Sequence, residues 1–183
     1  LCYGFTMIEL PNVNATRTAF KIASRFKGET GNVMLSPDGK MFATDGFAMI
    51  VSNNAHDAEL TEPMFVSPPS GLSFTKSALG YKLDVGEGLL VEERSRSEVS
   101  GSVEIKRGLR FPDVYSRIPS HLTRVAGETP DFDSIKAGRI ASDYGLDVGR
   151  WVKGAWDDVV WLYGTEETDM IMLARLRSPV EQS

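Results

Sequence analysis

Turn signals recur so closely along the first half of this chain that most apolar stretches between them are too short for a helix. Ser36-Pro37-Asp38-Gly39 separates 32–35 from 40–44, Asp45-Gly46 separates the latter from 47–52, and Gly86-Glu87-Gly88 separates 81–85 from 89–93. In the first of these a proline presets the second turn position and a glycine takes the end, so the flanking runs read as a hairpin. Strands joined by such short turns pair antiparallel. One segment ahead of them has another period. Ala15, Ala19, Ile22, Ala23 and Phe26 fall at i, i+4, i+7, i+8 and i+11, which predicts a helix over 14–26 with one apolar stripe. Asn12 or Asn14 can cap its start, and Gly28 with Gly31 ends it. Arg17, Lys21 and Arg25 recur every four residues and are expected to form a basic stripe on a face away from the core.

The pattern then begins again. Residues 62–67 read as a strand closed by Pro68 and Pro69, followed by a segment near 70–74 expected to hold a short or degraded helix. In 81–85, Tyr81, Leu83 and Val85 alternate with Lys82 and Asp84, the mark of a strand with one buried face. Strands follow at 89–93 and, after the charged loop 94–97, at 98–106; residues 111–119 are expected to leave the sheet and cross between modules. Beyond a link at 123–130, Asp131 or Asp133 can cap a helix running to about residue 144, with Ala137, Ile140, Ala141 and Tyr144 on its inner side. Strands are expected near 150–153, 159–163 and 170–176, with a turn at 164–167 and a polar, loose end at 177–183. The order is βαβββ, β(α)βββ, then a further helix and strands, an α+β chain of antiparallel sheets with helices on one face.

At 183 residues and 42% apolar content the chain can bury a full core. Cys2 is the single cysteine, so an intrachain disulfide, a Cys-rich zinc site and a Cys-x-x-Cys redox pair are excluded, and a reducing, cytoplasmic setting is the expectation. No apolar run is long enough for a membrane span. Met7-Ile8-Glu9-Leu10 reads as a natural start, with residues 1–6 expected outside the folded unit. The net charge of -5 disfavours whole-surface affinity for nucleic acid but leaves room for a local basic face.

The common catalytic constellations do not occur in the sequence. His56 and His121 stand far apart, in segments read as loops, where a lone histidine is ordinarily solvated. Phosphate-loop, dinucleotide, Gly-x-Ser-x-Gly and His-Glu-x-x-His strings do not occur. The pairs Asp131/Asp133 and Asp157/Asp158 read as helix caps and a turn rather than a cation site. Trp151, Trp156 and Trp161 read as the packed side of a sheet or an interface before they read as a base-stacking platform. The expectation is a protein that is not an enzyme and needs neither metal nor cofactor.

Three segments carry a more specific signal: Ala43-Thr44-Asp45-Gly46-Phe47-Ala48, Arg110-Phe111-Pro112-Asp113-Val114-Tyr115-Ser116-Arg117-Ile118-Pro119, and Met170-Ile171-Met172-Leu173-Ala174-Arg175-Leu176. Each resembles a landmark of the bacterial DNA sliding clamps, the beta subunit of DNA polymerase III, and they occur in that family's order. The resemblance covers about residues 7–177 in reduced form, as in small clamps expected of phages and prophages. It implies processivity-fold half-modules, two of them in 7–106 and an additional C-terminal one in 107–177.

The resemblance also implies a function. It points to a DNA replication accessory, a processivity factor that closes as a homo-oligomer around duplex DNA, contacts it without regard to sequence, and tethers a polymerase or other replication protein. Helices at these positions line the ring, which makes Arg17, Lys21, Arg25, Lys136 and Arg139 the implied phosphate contacts. The implied partner-peptide pocket comprises Thr44, Gly46, Phe47, Met49, Pro68, Met172 and Leu173, with Asp45, Ala48 and Ala174 beside it. Here the chain departs from the family: Phe47 and Ala48 replace a histidine and an arginine, and Leu173 replaces a proline, so peptide specificity should differ, with a filled pocket, a subunit contact or a plain core as the alternatives. The alternative is a clamp-fold interaction factor that binds replication machinery without encircling DNA; an unrecognised enzyme is a distant third.

Overall fold

A computed structural model describes residues 7–25, 28, 31–45 and 48–111, together with the backbone of three later strands at 151–153, 159–163 and 169–174. The chain opens with β1 (Met7–Leu10) and α1 (Val13–Ala23), then the meander β2 (Val33–Leu35), β3 (Met41–Thr44) and β4 (Ala48–Ser52). A second leading strand, β5 (Met64–Val66), precedes the meander β6 (Gly80–Asp84), β7 (Leu89–Glu93) and β8 (Glu98–Ser102). The short β9 (Ile105–Lys106) follows, and β10 (Trp151–Lys153), β11 (Val159–Tyr163) and β12 (Asp169–Ala174) complete the described elements. Every strand pairing among them is antiparallel. The molecule is α+β, mostly antiparallel sheet with one described helix.

The strands form two sheets, one of four strands in the order β1-β6-β7-β8 and one of eight in the order β10-β11-β12-β4-β3-β2-β5-β9. Their leading strands are exchanged. β1, which precedes the first meander in sequence, pairs with β6 of the second, while β5, which precedes the second, pairs with β2 of the first. Each half therefore lacks its own edge strand and completes the other, which gives residues 7–106 a reciprocal, two-half construction. On the far side of the first meander the C-terminal strands continue the same sheet through β12, paired with β4.

Helix α1 lies between the sheets. Asn12 caps it, its side chain accepting from Ala15 N at 3.0 Å, while Ser24 ends it with its N–H on Phe20 O, four residues before Gly28. Ala15, Ala19, Ile22 and Ala23 are 0–1% exposed, as the periodicity requires. They share one core with Ile8, Leu10, Tyr81, Leu83 and Leu90 of the four-stranded sheet and with Val33, Leu35, Met41, Ala43, Ala48 and Ile50 of the larger one. Thr16, Arg17 and Thr18 are also buried, so the helix is enclosed on more than its apolar stripe. The alternate side chains of the larger sheet, Met34, Phe42, Met49, Val51 and Phe65, are buried as well, and the Phe111 ring lies 6.2 Å from Phe65. A strand buried on both faces reads as a continuous apolar run, which is how 41–44 and 48–52 read in sequence.

Several expectations need correction. No helix forms near 70–74. Residues 67–79 instead make a strap across the four-stranded sheet, pinned where Ser70 and Ser102 exchange backbone hydrogen bonds of 2.8 and 3.0 Å. Gly71, at φ +80°, turns the strap, and Gly101 lets it sit close: a Cβ there would lie 2.7 Å from Leu72 Cβ and 2.8 Å from Ser70 O. The strand expected over 98–106 breaks after Ser102. Val103 turns inward at 8% exposure, and β9 then pairs with β5 in the other sheet, so the chain changes sheets ahead of Phe111. Of the segment 111–119 only Phe111 is described. The expected helix at 131–144, residues 1–6 and 177–183, and the turn at 164–167 lie outside the described residues.

Candidate nucleic-acid and partner interface

The three cations Arg17, Lys21 and Arg25 do not share a solvent face, and Arg25 falls beyond the end of α1. Arg17 is 3% exposed, and its guanidinium donates to Asn14 Oδ1 at 2.9 Å and to the Thr75 carbonyl at 3.3 Å. The strap that replaces the expected helix covers this side of α1, which is why a residue placed on the outer face by spacing alone lies inside. Arg17 is thereby withdrawn as a phosphate contact. Lys21 is half-buried, and Arg25 is exposed with its guanidinium 3.8 Å from the buried carboxylate of Asp45. Lys136 and Arg139 lie outside the described residues, as do His121 and the pairs Asp131/Asp133 and Asp157/Asp158.

Arg17 belongs to a polar knot that sequence reasoning missed. At its centre Glu92, 0% exposed, accepts from the Tyr81 hydroxyl at 2.7 Å and the Thr75 N–H at 3.3 Å on one oxygen, and from Arg94 Nε at 2.8 Å on the other. Tyr81 and Glu92 are directly opposite in the β6–β7 register, and Phe74 packs between the Phe20 and Tyr81 rings at 5.9 and 5.7 Å. Burial raises the Tyr81 pKa well above the ordinary phenol range, and the bonded Glu92 carboxylate adds to the shift. A signal existed: alternation in β7 sets Glu92 on the same face as Leu90, which directs a carboxylate into the core.

The expected pocket residues meet only in part. In the Thr-Asp-Gly turn the Thr44 hydroxyl donates to Ala48 O at 2.8 Å, and Asp45 accepts from Ala48 N at 2.7 Å, which closes β3 onto β4. Gly46 and Phe47 lie outside the described residues. Register sets Met172 opposite Met49 and Leu173 opposite Ala48, so the two most separated sequence landmarks occupy neighbouring strands. Met49 itself is 1% exposed and serves as core, leaving it no face for a ligand in this arrangement. Half-buried Pro68 follows β5 at the same end of the sheet, but β5 is three strands from β4, about 14 Å at ordinary strand spacing. Of the tryptophans, Trp151 pairs with Leu162 and Trp161 with Val152; Trp156 is outside the described residues.

His56 also needs correction: it is 8% exposed rather than solvated. Its Nδ1 accepts from Ala58 N at 3.2 Å, so the proton sits on Nε2, which donates to Ser36 O at 2.7 Å. The ring thus staples the loop after β4 to the Ser-Pro-Asp-Gly turn. Next to it, Asp57 accepts from Glu9 N at 2.9 Å on the outer edge of β1. No helix among the described residues is long and apolar enough to cross a membrane.

Searches against family models, curated proteins and solved structures return no match to this chain.

Proposed function

We propose that this chain is a clamp-like DNA replication accessory, a processivity factor that self-associates around duplex DNA and tethers a polymerase or another DNA enzyme. The observation that carries the reading is the β4–β12 pairing: the strand after the Thr-Asp-Gly turn and the terminal Met-Ile-Met-Leu strand, more than a hundred residues apart in sequence, lie side by side. The exchanged leading strands of residues 7–106 support paired half-modules, and α1 between the sheets suits a scaffold more than an active centre. Nothing in this reading calls for a metal, a cofactor or catalysis.

Enclosure of a duplex by self-association requires a closed oligomer, for which edge-to-edge sheet joining is the economical solution. Light-scattering mass across a concentration series tests it. A discrete oligomer is expected. A strict monomer at the highest concentration favours the alternative, a clamp-fold interaction factor that binds replication proteins without enclosing DNA.

A further inference from the structure

The formal charge of -5 is unevenly distributed. Residues 11–28 contain no Asp or Glu, and neither do residues 67–83, whereas the chain as a whole has 25 acidic residues. The fold brings these two carboxylate-free segments together, with Arg17 on the Thr75 carbonyl and the Phe20 ring stacked 5.9 Å from Phe74. A third cationic element joins them. The β7–β8 turn, closed by Arg94 N donating to Ser97 O at 2.8 Å, carries Arg94 and Arg96, and Glu92 holds both Arg94 and the strap at Thr75 N.

Resting on the clamp-like reading, we infer that this seam is the duplex-binding surface, with Lys21 of α1, Lys76 of the strap, and Arg94 and Arg96 of the β7–β8 turn as its phosphate contacts. Lys76 and Arg96 are exposed, and Lys21 and Arg94 are half-buried. Lys21 stands one helical turn from Arg17, which the strap touches beside Lys76. Of the carboxylates nearest in sequence, Glu92 lies within the seam and pairs with Arg94, while Glu93 and Glu98, opposite each other in register, are on the other face of the sheet. Glu92 is buried within its three hydrogen bonds, and Glu93 alternates to the other face of β7, where it pairs with Lys82 at 2.5 Å. Duplex DNA is the occupant that fits: the seam offers cations from separate elements, as backbone binding requires. Glu92 is a positioning residue here, since it holds Arg94 and the strap without touching a ligand.

The test is fluorescence anisotropy of the full chain with labelled linear duplexes of two unrelated sequences, titrated at several salt concentrations. Wild type should bind both alike. The Lys76→Glu/Arg96→Glu variant should bind at least about tenfold more weakly at low salt, with a log–log salt slope smaller by about two. Both positions are exposed, so its thermal stability should match wild type. Wild-type affinity and slope in the variant would overturn the seam, as would preference for single strands, or no wild-type binding to duplex at low salt. A discrete closed oligomer lacking affinity at this seam would leave the clamp-like reading standing and remove the seam alone.

Discussion

Glu92 is the residue on which the interior is organised, because its carboxylate is wholly buried and three donors converge on it. Removing it strands the Tyr81 hydroxyl and the Thr75 N–H, although Arg94, one-third exposed, can turn to water. Glu92→Ala should therefore destabilise by about 2–3 kcal/mol, and Glu92→Gln by less because one acceptor survives. Urea midpoints at constant slope would measure both. Tyr81 supplies a pH signature. Its folded pKa is raised, first by burial and then by Glu92, so the neutral phenol is the form the fold holds. The resulting stability is fully present below the unfolded value of about 10 and is lost as pH rises through the folded one. Ultraviolet titration should show one tyrosine ionising after the others, and Tyr81→Phe should remove that late component. Simultaneous ionisation of all tyrosines in the folded protein would contradict the knot.

At the scale of elements, caps and close approaches decide what forms. Asn12→Ala removes the bond to Ala15 N and should cost about 1 kcal/mol, read as a lower melting temperature with unchanged oligomeric mass. Gly101→Ala places a methyl against the Leu72 and Pro69 Cβ atoms and the Ser70 carbonyl, none of which is the free end of a flexible side chain. It should cost about 1–3 kcal/mol and loosen the strap, seen as faster hydrogen exchange at Ser70 N. These elements also show what the sequence could disclose. The α1 stripe, the 36–39 hairpin turn and strands β6 and β7 were legible because local period and turn chemistry agree with the tertiary outcome. Spacing alone misplaces Arg17, because it defines a helix face but not what covers it, and the covering strap has no periodic signal of its own. The break after Ser102 was hidden for a similar reason: 98–106 is locally continuous, and only pairing with β5 draws its end into the other sheet. Sequence alone places His56 in solvent because its partners, Ser36 and Ala58, are set by loop packing.

At the scale of the whole molecule, topology and charge distribution carry the account. Strand exchange between the two halves of 7–106 makes them interdependent, so separate expression of either half should yield no cooperative unfolding transition. The outer face of the four-stranded sheet carries Glu9, Asp84, Glu93 and Glu98 around Lys82, whose pKa is raised first by its bond to Glu93. The cationic seam lies on the opposite side of that sheet, an arrangement that on the clamp-like reading would favour DNA at one surface and repel it from the other. Enclosure of DNA, which separates a clamp from an ordinary DNA-binding or interaction protein, is best measured as retention on nicked circular duplex before and after linearisation at a salt concentration that suppresses backbone attraction. The clamp-like reading predicts retention on the circle and release through the ends once it is cut; equal retention, or none, on both forms would contradict it.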